Sequence, residues 1–140
     1  HSHDIGGHLL FVLGTLNRML ALHWCLLAVG SDCVNPCWIL LKLTDGTIYH
    51  AADTGEFYDM KLIGEDGIDL AILPIGDNFT MGPDDALKAV QLIEPKRVIP
   101  DHYDTWPLIA QDAGAWAERV RAETSAEPLV MSPGDSCELN

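Results

Sequence analysis

The stretch NPCWILLKLTDGTIYHAAD, residues 35–53, decides how this chain is read. Two apolar runs flank Asp45-Gly46, a dipeptide that tolerates the positive φ of a tight turn, so the stretch predicts a β-hairpin. Its first arm, CWILLKL, carries almost no polar side chain and reads as a strand buried on both faces. The second arm, TIYH, passes two alanines and ends on Asp53, followed by Thr54 and Gly55. A carboxylate placed there is either an ordinary turn residue bonding its own backbone or a group delivered to a metal ion.

Downstream of the hairpin the pattern becomes an alternation of helix and strand. FYDMKLIGE (57–65) predicts a short helix and IDLAILPI (68–75) a buried strand. GPDDALKAVQLIE (82–94) predicts a helix with Pro83 in its first turn, acids beside its N-terminus, and Ala86, Leu87, Val90 and Ile93 on one face. KRVIPDH (96–102) is the next strand. DAGAWAERVRAE (112–123) follows as a helix capped by Asp112, with Ala113, Trp116, Ala117 and Val120 at helical spacing. The closing EPLVMSPGDSCEL predicts two short strands around Pro133-Gly134. Upstream, LLFVLG (9–14) and RMLALHW (18–24) read as two more strands. Strands dominate the first third and βα units the remainder, which predicts an α/β sandwich with helices outside a sheet, in one domain over residues 1–140.

Composition narrows the function. With 21 acids against 8 bases the formal charge is −13, which lacks the positive footprint that nucleic-acid binding requires. The longest apolar run, MLALHWCLLAV (19–29), is far shorter than the roughly 20 residues of a membrane span, so no membrane partner is expected. Cys25, Cys33, Cys37 and Cys137 form no C-x-x-C pair; a structural zinc site on the first three is a weak reading beside ordinary thiols in a reduced, cytoplasmic setting.

Three residues follow apolar strands directly: His23 after RMLAL, Asp53 after TIYHAA, and His102 after RVIPD. Strand ends are where α/β folds collect functional groups, and two imidazoles with a carboxylate are a donor set for zinc or a similar divalent ion. Taken singly, each has a plain alternative as a hydrogen-bonded surface or turn residue.

DGTIYHAADTGEFYDMKLIG (45–64), DLAILPIGDNFTMGP (69–83), KAVQLIEPKRVIPDHYDTWPLIAQD (88–112) and SPGDS (132–136) resemble the metal-dependent hydrolases of the metallo-β-lactamase superfamily, in the group near the ascorbate-phosphate lactonases. The similarity runs from about residue 34 onward. It implies an αββα sandwich with a one- or two-metal site between the sheets, zinc or alternatively manganese or iron, and hydrolysis of a small ester, lactone or phosphoester by metal-activated water. By motif, Asp53 corresponds to a ligating or bridging aspartate, His102 to the last histidine ligand, and His23 to an earlier one. His50, Asp77 and Tyr103 are candidates for contacts around the ligands or with substrate. The chain departs from the family at Ala52 and Trp38, where glycine is usual, and at Trp24 and Cys25 beside His23.

The superfamily's main ligand cluster, H-x-H-x-D-H, has no proper counterpart. HSHDIGGH (1–8) places Asp4 one residue too early, with no histidine directly after it. IGGHLLFVLGTLNRMLALH (5–23) instead resembles a later family segment. On that reading the fold is incomplete at its N-terminus, the chain is a C-terminal portion that is inactive alone or covers an exposed apolar face by self-association, and the alternative function is a non-catalytic sandwich module that has lost its metals.

Overall fold

The computed structural model describes residues 38–139, all within the compact unit Pro36–Asn140. The strands predicted at 9–14 and 18–24 and the candidate ligand His23 lie outside the described residues.

The elements run β1 (Ile39–Lys42), β2 (Thr47–His50), α1 (Met60–Gly64), β3 (Leu70–Pro74), α2 (Pro83–Ile93), β4 (Arg97–Asp101), a single 3-10 turn (Pro107–Ile109), α3 (Ala113–Glu123) and β5 (Glu127–Pro128). They form one five-stranded sheet in the order β1-β2-β3-β4-β5. β1 and β2 are antiparallel, with Lys42 opposite Thr47; every later pair is parallel, each joined by one helix.

The hairpin forms as its turn chemistry requires. Leu43 N–H donates to the Gly46 carbonyl at 2.9 Å, and Thr47 N–H donates to Asp69 Oδ2 at 2.7 Å. A Cβ at position 46 would stand 2.9 Å from that same Asp69 oxygen, so the glycine is needed for the close approach as well as for the turn.

Side chains alternate across the sheet. Tyr49, Ala51, Ala71, Leu73, Ile75 and Val98 face the helices and join the core with Met60, Ala86, Leu87, Val90, Ile93, Trp116 and Val120. Trp116 anchors this layer: its ring is buried and its indole N–H donates to the Pro83 carbonyl at 3.1 Å, leaving no unpaired donor. Asp112 caps α3, its Oδ1 accepting from Ala115 N–H at 2.8 Å. By the register, the opposite face carries Leu41, Ile48, Ile72 and Ile99, half-buried, together with His50 and Asp101 at the strand ends. That aliphatic face is what a second sheet of a sandwich packs against.

Two expectations are corrected. β1 is not buried on both faces: Leu40 is buried on the side of the helices, while Ile39, on the opposite face with His50, is 44% exposed. The second C-terminal strand is absent. Beyond β5, Leu129 N–H still donates to the Val98 carbonyl, but Pro133 has no N–H to offer, and Asp135 closes a turn by accepting Ser132 N–H at 2.8 Å.

Candidate functional site

The parallel strands end on one rim, and the loops leaving them bring the candidates together. β2 ends at His50 and the chain turns through Ala52 in the left-handed region (φ 53°) to present Asp53. β4 ends at Asp101 and His102 follows, also left-handed (φ 52°). His102 Nε2 then faces Asp53 Oδ1 at 3.6 Å. That separation is too long for a hydrogen bond. It suits two ligands of one divalent ion, since donors about 2.0–2.2 Å from a tetrahedral centre stand about 3.3–3.6 Å apart. Asp53 is well exposed, its side chain 71% accessible, so its oxygens are free to accept a ligand.

A second carboxylate–imidazole pair lies beside the first. His50 Nδ1 accepts the Ala52 N–H at 2.9 Å, which assigns the proton to Nε2, and Nε2 faces Asp101 Oδ2 at 3.6 Å. Burial raises the Asp101 carboxyl above the ordinary carboxylate range, and the Asp53 charge adds to the rise; His50 and His102 oppose it. Asp101 Oδ1 and His102 Nδ1 are buried without a hydrogen-bond partner, so the polar groups of this corner are not satisfied by the described protein atoms alone.

The donor set fits a divalent ion in part. Asp53 and His102 supply two converging donors of the right kind, but no three His, Cys, Asp or Glu side chains among the described residues are arranged to hold one ion. Asp77 and Tyr103 do not converge on the pair through any hydrogen bond. Asp77 Oδ1 accepts Asn78 N–H at 2.8 Å and its carboxylate rests against Gly82, so it shapes its own left-handed loop (φ 62°). Tyr103 packs against the hydrophobic core, and burial with the neighbouring Asp104 charge raises its phenol above the ordinary value. Asp101 was missed by sequence reasoning. Its signal was the strand alternation: Val98 and Pro100 are buried, which puts Asp101 on the same face as His50.

A third tie holds this rim together. Gly76 packs so closely on the His102 turn that a Cβ there would be only 2.2 Å from the His102 carbonyl oxygen. Ile75 N–H donates to the Asp101 carbonyl at 3.1 Å, and Met81 N–H to the Thr54 carbonyl at 3.0 Å. The loops after β2, β3 and β4 are thereby cross-linked around the two pairs.

Comparison with known proteins identifies the family. The sequence profile described as "Beta-lactamase superfamily domain" matches residues 29–102, just over half of the chain. A UPF0173 metal-dependent hydrolase of Pelotomaculum thermopropionicum is 58% identical over 106 residues, 75% of this chain and 46% of that protein. One from Thermus thermophilus is 46% identical over 137 residues, 98% of this chain and 61% of that protein. Among solved structures, Igni18, a metallo hydrolase of Ignicoccus hospitalis, superposes with a TM-score of 0.61 at 31% identity, covering 76% of this chain and 58% of that one. The chain thus spans between about half and three-fifths of the length of these relatives. With its mixed sheet, its helical layer and the profile match across the hairpin, Asp53 and His102, the chain belongs to the metallo-β-lactamase superfamily and has its fold.

Proposed function

We propose that this chain, as a single domain, carries part of the site of a metal-dependent hydrolase acting on a small ester, lactone or phosphoester. The observation that carries the reading is the approach of Asp53 Oδ1 to His102 Nε2, from the ends of non-adjacent strands, at a separation suited to shared ligation. The names of the relatives support it, since both are metal-dependent hydrolases. A bound divalent ion, zinc or alternatively manganese or iron for this nitrogen and oxygen set, supplies Lewis acidity and lowers the pKa of water.

The chain's own groups prepare that chemistry. Asp53 presents an exposed carboxylate oxygen and His102 an imidazole nitrogen. His50 is oriented by the Ala52 N–H, which it accepts at Nδ1, so that its Nε2 faces Asp101 beside the ligand pair. His23 is the third ligand in this reading. The exposed free thiol of Cys137 accords with a reducing, cytoplasmic environment. Among the described residues, no helix is long and apolar enough to cross a membrane.

The test is metal content and turnover together. The complete protein, with its full set of ligands, is expected to hold zinc, manganese or iron stoichiometrically by plasma mass spectrometry and to hydrolyse model esters. Asp53→Ala is expected to lose the metal and at least about a hundredfold in rate, the scale of removing a group that organises the reacting centre. Undiminished metal content with near-normal hydrolysis in Asp53→Ala would remove Asp53 from this role.

A further inference from the structure

Three large apolar side chains stand exposed on the rim that carries Asp53 and His102: Phe79 at 62%, Trp106 at 46% and Leu108 at 56%. Phe79 lies in the loop after β3 and Trp106 in the loop after β4, yet their rings stack, with centroids 5.7 Å apart and planes inclined by 13°. Stacked rings of this kind attract beyond the area they bury, but the contact leaves much of both rings open to solvent.

The loops that hold the rings are fixed. Asn78 Nδ2 donates to the Leu108 carbonyl at 2.6 Å, joining one loop to the other directly. Gln111 Nε2 donates to the Gly76 carbonyl at 3.2 Å, and its backbone N–H donates to Asp104 Oδ1 at 2.8 Å. Ile109 is buried beneath them, and Asp104 N–H donates to its carbonyl at 2.9 Å. Asp77, Asn78 and Asp104 all hold left-handed backbone conformations, so both loops are committed to one path.

The position of the rings ties them to the ligand pair. Trp106 follows His102 by four positions, and the loop of Phe79 is bonded through Met81 N–H to Thr54, the residue after Asp53. A rigid, open aromatic surface beside a reacting centre presents a flat apolar face to whatever is bound there. The two loops, residues 77–81 and 103–111, contain Asp77 and Asp104 but no lysine or arginine, so they offer nothing to pair with a phosphate.

Resting on the hydrolase reading above, we infer that Phe79 and Trp106 form the specificity-determining shelf of this site, which takes the planar apolar group of an uncharged carboxylic ester or lactone. The pair excludes water from one side of the substrate and orients its carbonyl toward Asp53 and His102. It contributes to binding and takes no part in bond breaking. A phosphoester without a planar apolar group gains nothing from the shelf.

The experiment uses the complete protein loaded with zinc, Phe79→Ala, Trp106→Ala and Trp106→Tyr, and three probes: 2-naphthyl acetate, ethyl acetate and the non-hydrolysable ketone 2-acetonaphthone. Each alanine variant is expected to raise the KM for the naphthyl ester and the Kd for the ketone about three- to tenfold, the span of one aromatic contact. Ethyl acetate, which has no planar group to seat, is expected to lose less in kcat/KM than the naphthyl ester, the thermal midpoint to fall by only a few degrees through loss of the stacked pair, and Trp106→Tyr to keep most of the wild-type affinity. Unchanged KM and ketone affinity in both alanine variants would overturn the shelf. If neither ester is hydrolysed but ketone binding is still lost in the variants, the hydrolase reading falls and the shelf stands. Trp106→Leu separates a flat ring from mere apolar bulk: if it binds the ketone like the wild type, planar recognition is overturned.

Discussion

Substituting Gly76 tests the link between the fold and the candidate ligands most directly. A Cβ at this position would stand 2.2 Å from the His102 carbonyl oxygen and 3.1 Å from Ile109 Cβ, where ordinary contact begins at 3.4 Å. Gly76→Ala therefore has to open the gap between the β3 and β4 loops by about 1 Å, and the obstructing atom is backbone that no rotamer change can move aside. Overpacking of this sort costs about 1–3 kcal/mol, and rigid backbone on both sides points to the upper half. With a urea m-value of about 2 kcal/mol/M, a loss of about 2–3 kcal/mol lowers the unfolding midpoint by about 1–1.5 M. The displaced residue is His102 itself. Ligand distances are tolerated within about 0.2 Å, so a shift of about 1 Å at His102 should weaken zinc binding in calorimetric titration by tenfold or more. Gly55→Ala is the matched control: it lies two residues from Asp53, yet its Cβ would meet nothing within 4 Å. That variant should unfold within about 0.5 kcal/mol of the wild type and bind zinc equally well. A Gly76→Ala protein with an unchanged urea midpoint and unchanged zinc affinity would refute the close approach, and with it the idea that this contact sets His102.

Two further outcomes follow from charge and capping. Asp69 is held below the ordinary carboxylate range by the Lys96 ammonium, at 2.6 Å from Oδ1, and by the Thr47 N–H, against a smaller opposing effect of burial. A depressed carboxyl contributes stability that is present above its unfolded pKa and lost as pH falls through its folded one, so Asp69→Asn should lower the urea midpoint at neutral pH and flatten the acid limb between about pH 5 and pH 2. Midpoint-against-pH curves for wild type and variant that run parallel throughout would rule this out. Asp112→Ala removes the only side-chain acceptor at the start of α3 and should cost about 1 kcal/mol, read as a lowered denaturation midpoint with unaltered zinc affinity. Coupled loss of zinc binding would mean that the cap acts on the site as well as on the helix.

What the sequence showed was whatever is fixed by local chemistry. The Asp45-Gly46 hairpin, the Pro83 start of α2 and the Asp112 cap of α3 follow from turn and cap preferences within a few residues, and all three form as read. The face of Trp116, Ala117 and Val120 is also local, a matter of helical period. By contrast, the exposure of Ile39 beside the buried Leu40 depends on which layer covers each face of β1, and no pattern within CWILLKL reports that. The C-terminal segment misled because VMSPGDS contains the turn residues of a hairpin, while Asp135 uses them to close a turn on Ser132 that leads into no strand. Asp53 and His102 were legible as ends of apolar runs; that they face one another follows only from a sheet in which β3 separates their strands. Asp101 had the weakest signal, since a carboxylate beside a stronger candidate reads as loop polarity until the strand register puts it opposite His50.

The backbone of the rim explains why the candidates gather there. Ala52, Asp77, Asn78, His102 and Asp104 are all left-handed, five of the six non-glycine residues so placed among the described residues. Outside glycine such conformations are costly, of the order of 1 kcal/mol each, and they persist only where neighbouring contacts compel them. Those contacts are on hand: Ala52 N–H is held by His50 Nδ1, Asp77 by the Met81 carbonyl and the Asn78 N–H, and Asp104 by Gln111. Ala52 is the sharpest case, because alanine has neither the freedom of glycine nor the local hydrogen bonding that lets asparagine and aspartate adopt this conformation. A short chain of bonds, from His50 through Ala52 to Asp53, therefore converts the end of a parallel strand into an outward-facing carboxylate. The Gly76 contact does the equivalent for His102. Stability is given up in the loops and recovered in the Trp116-centred layer beneath them, so the donor pair is presented by backbone that the rest of the fold holds in place.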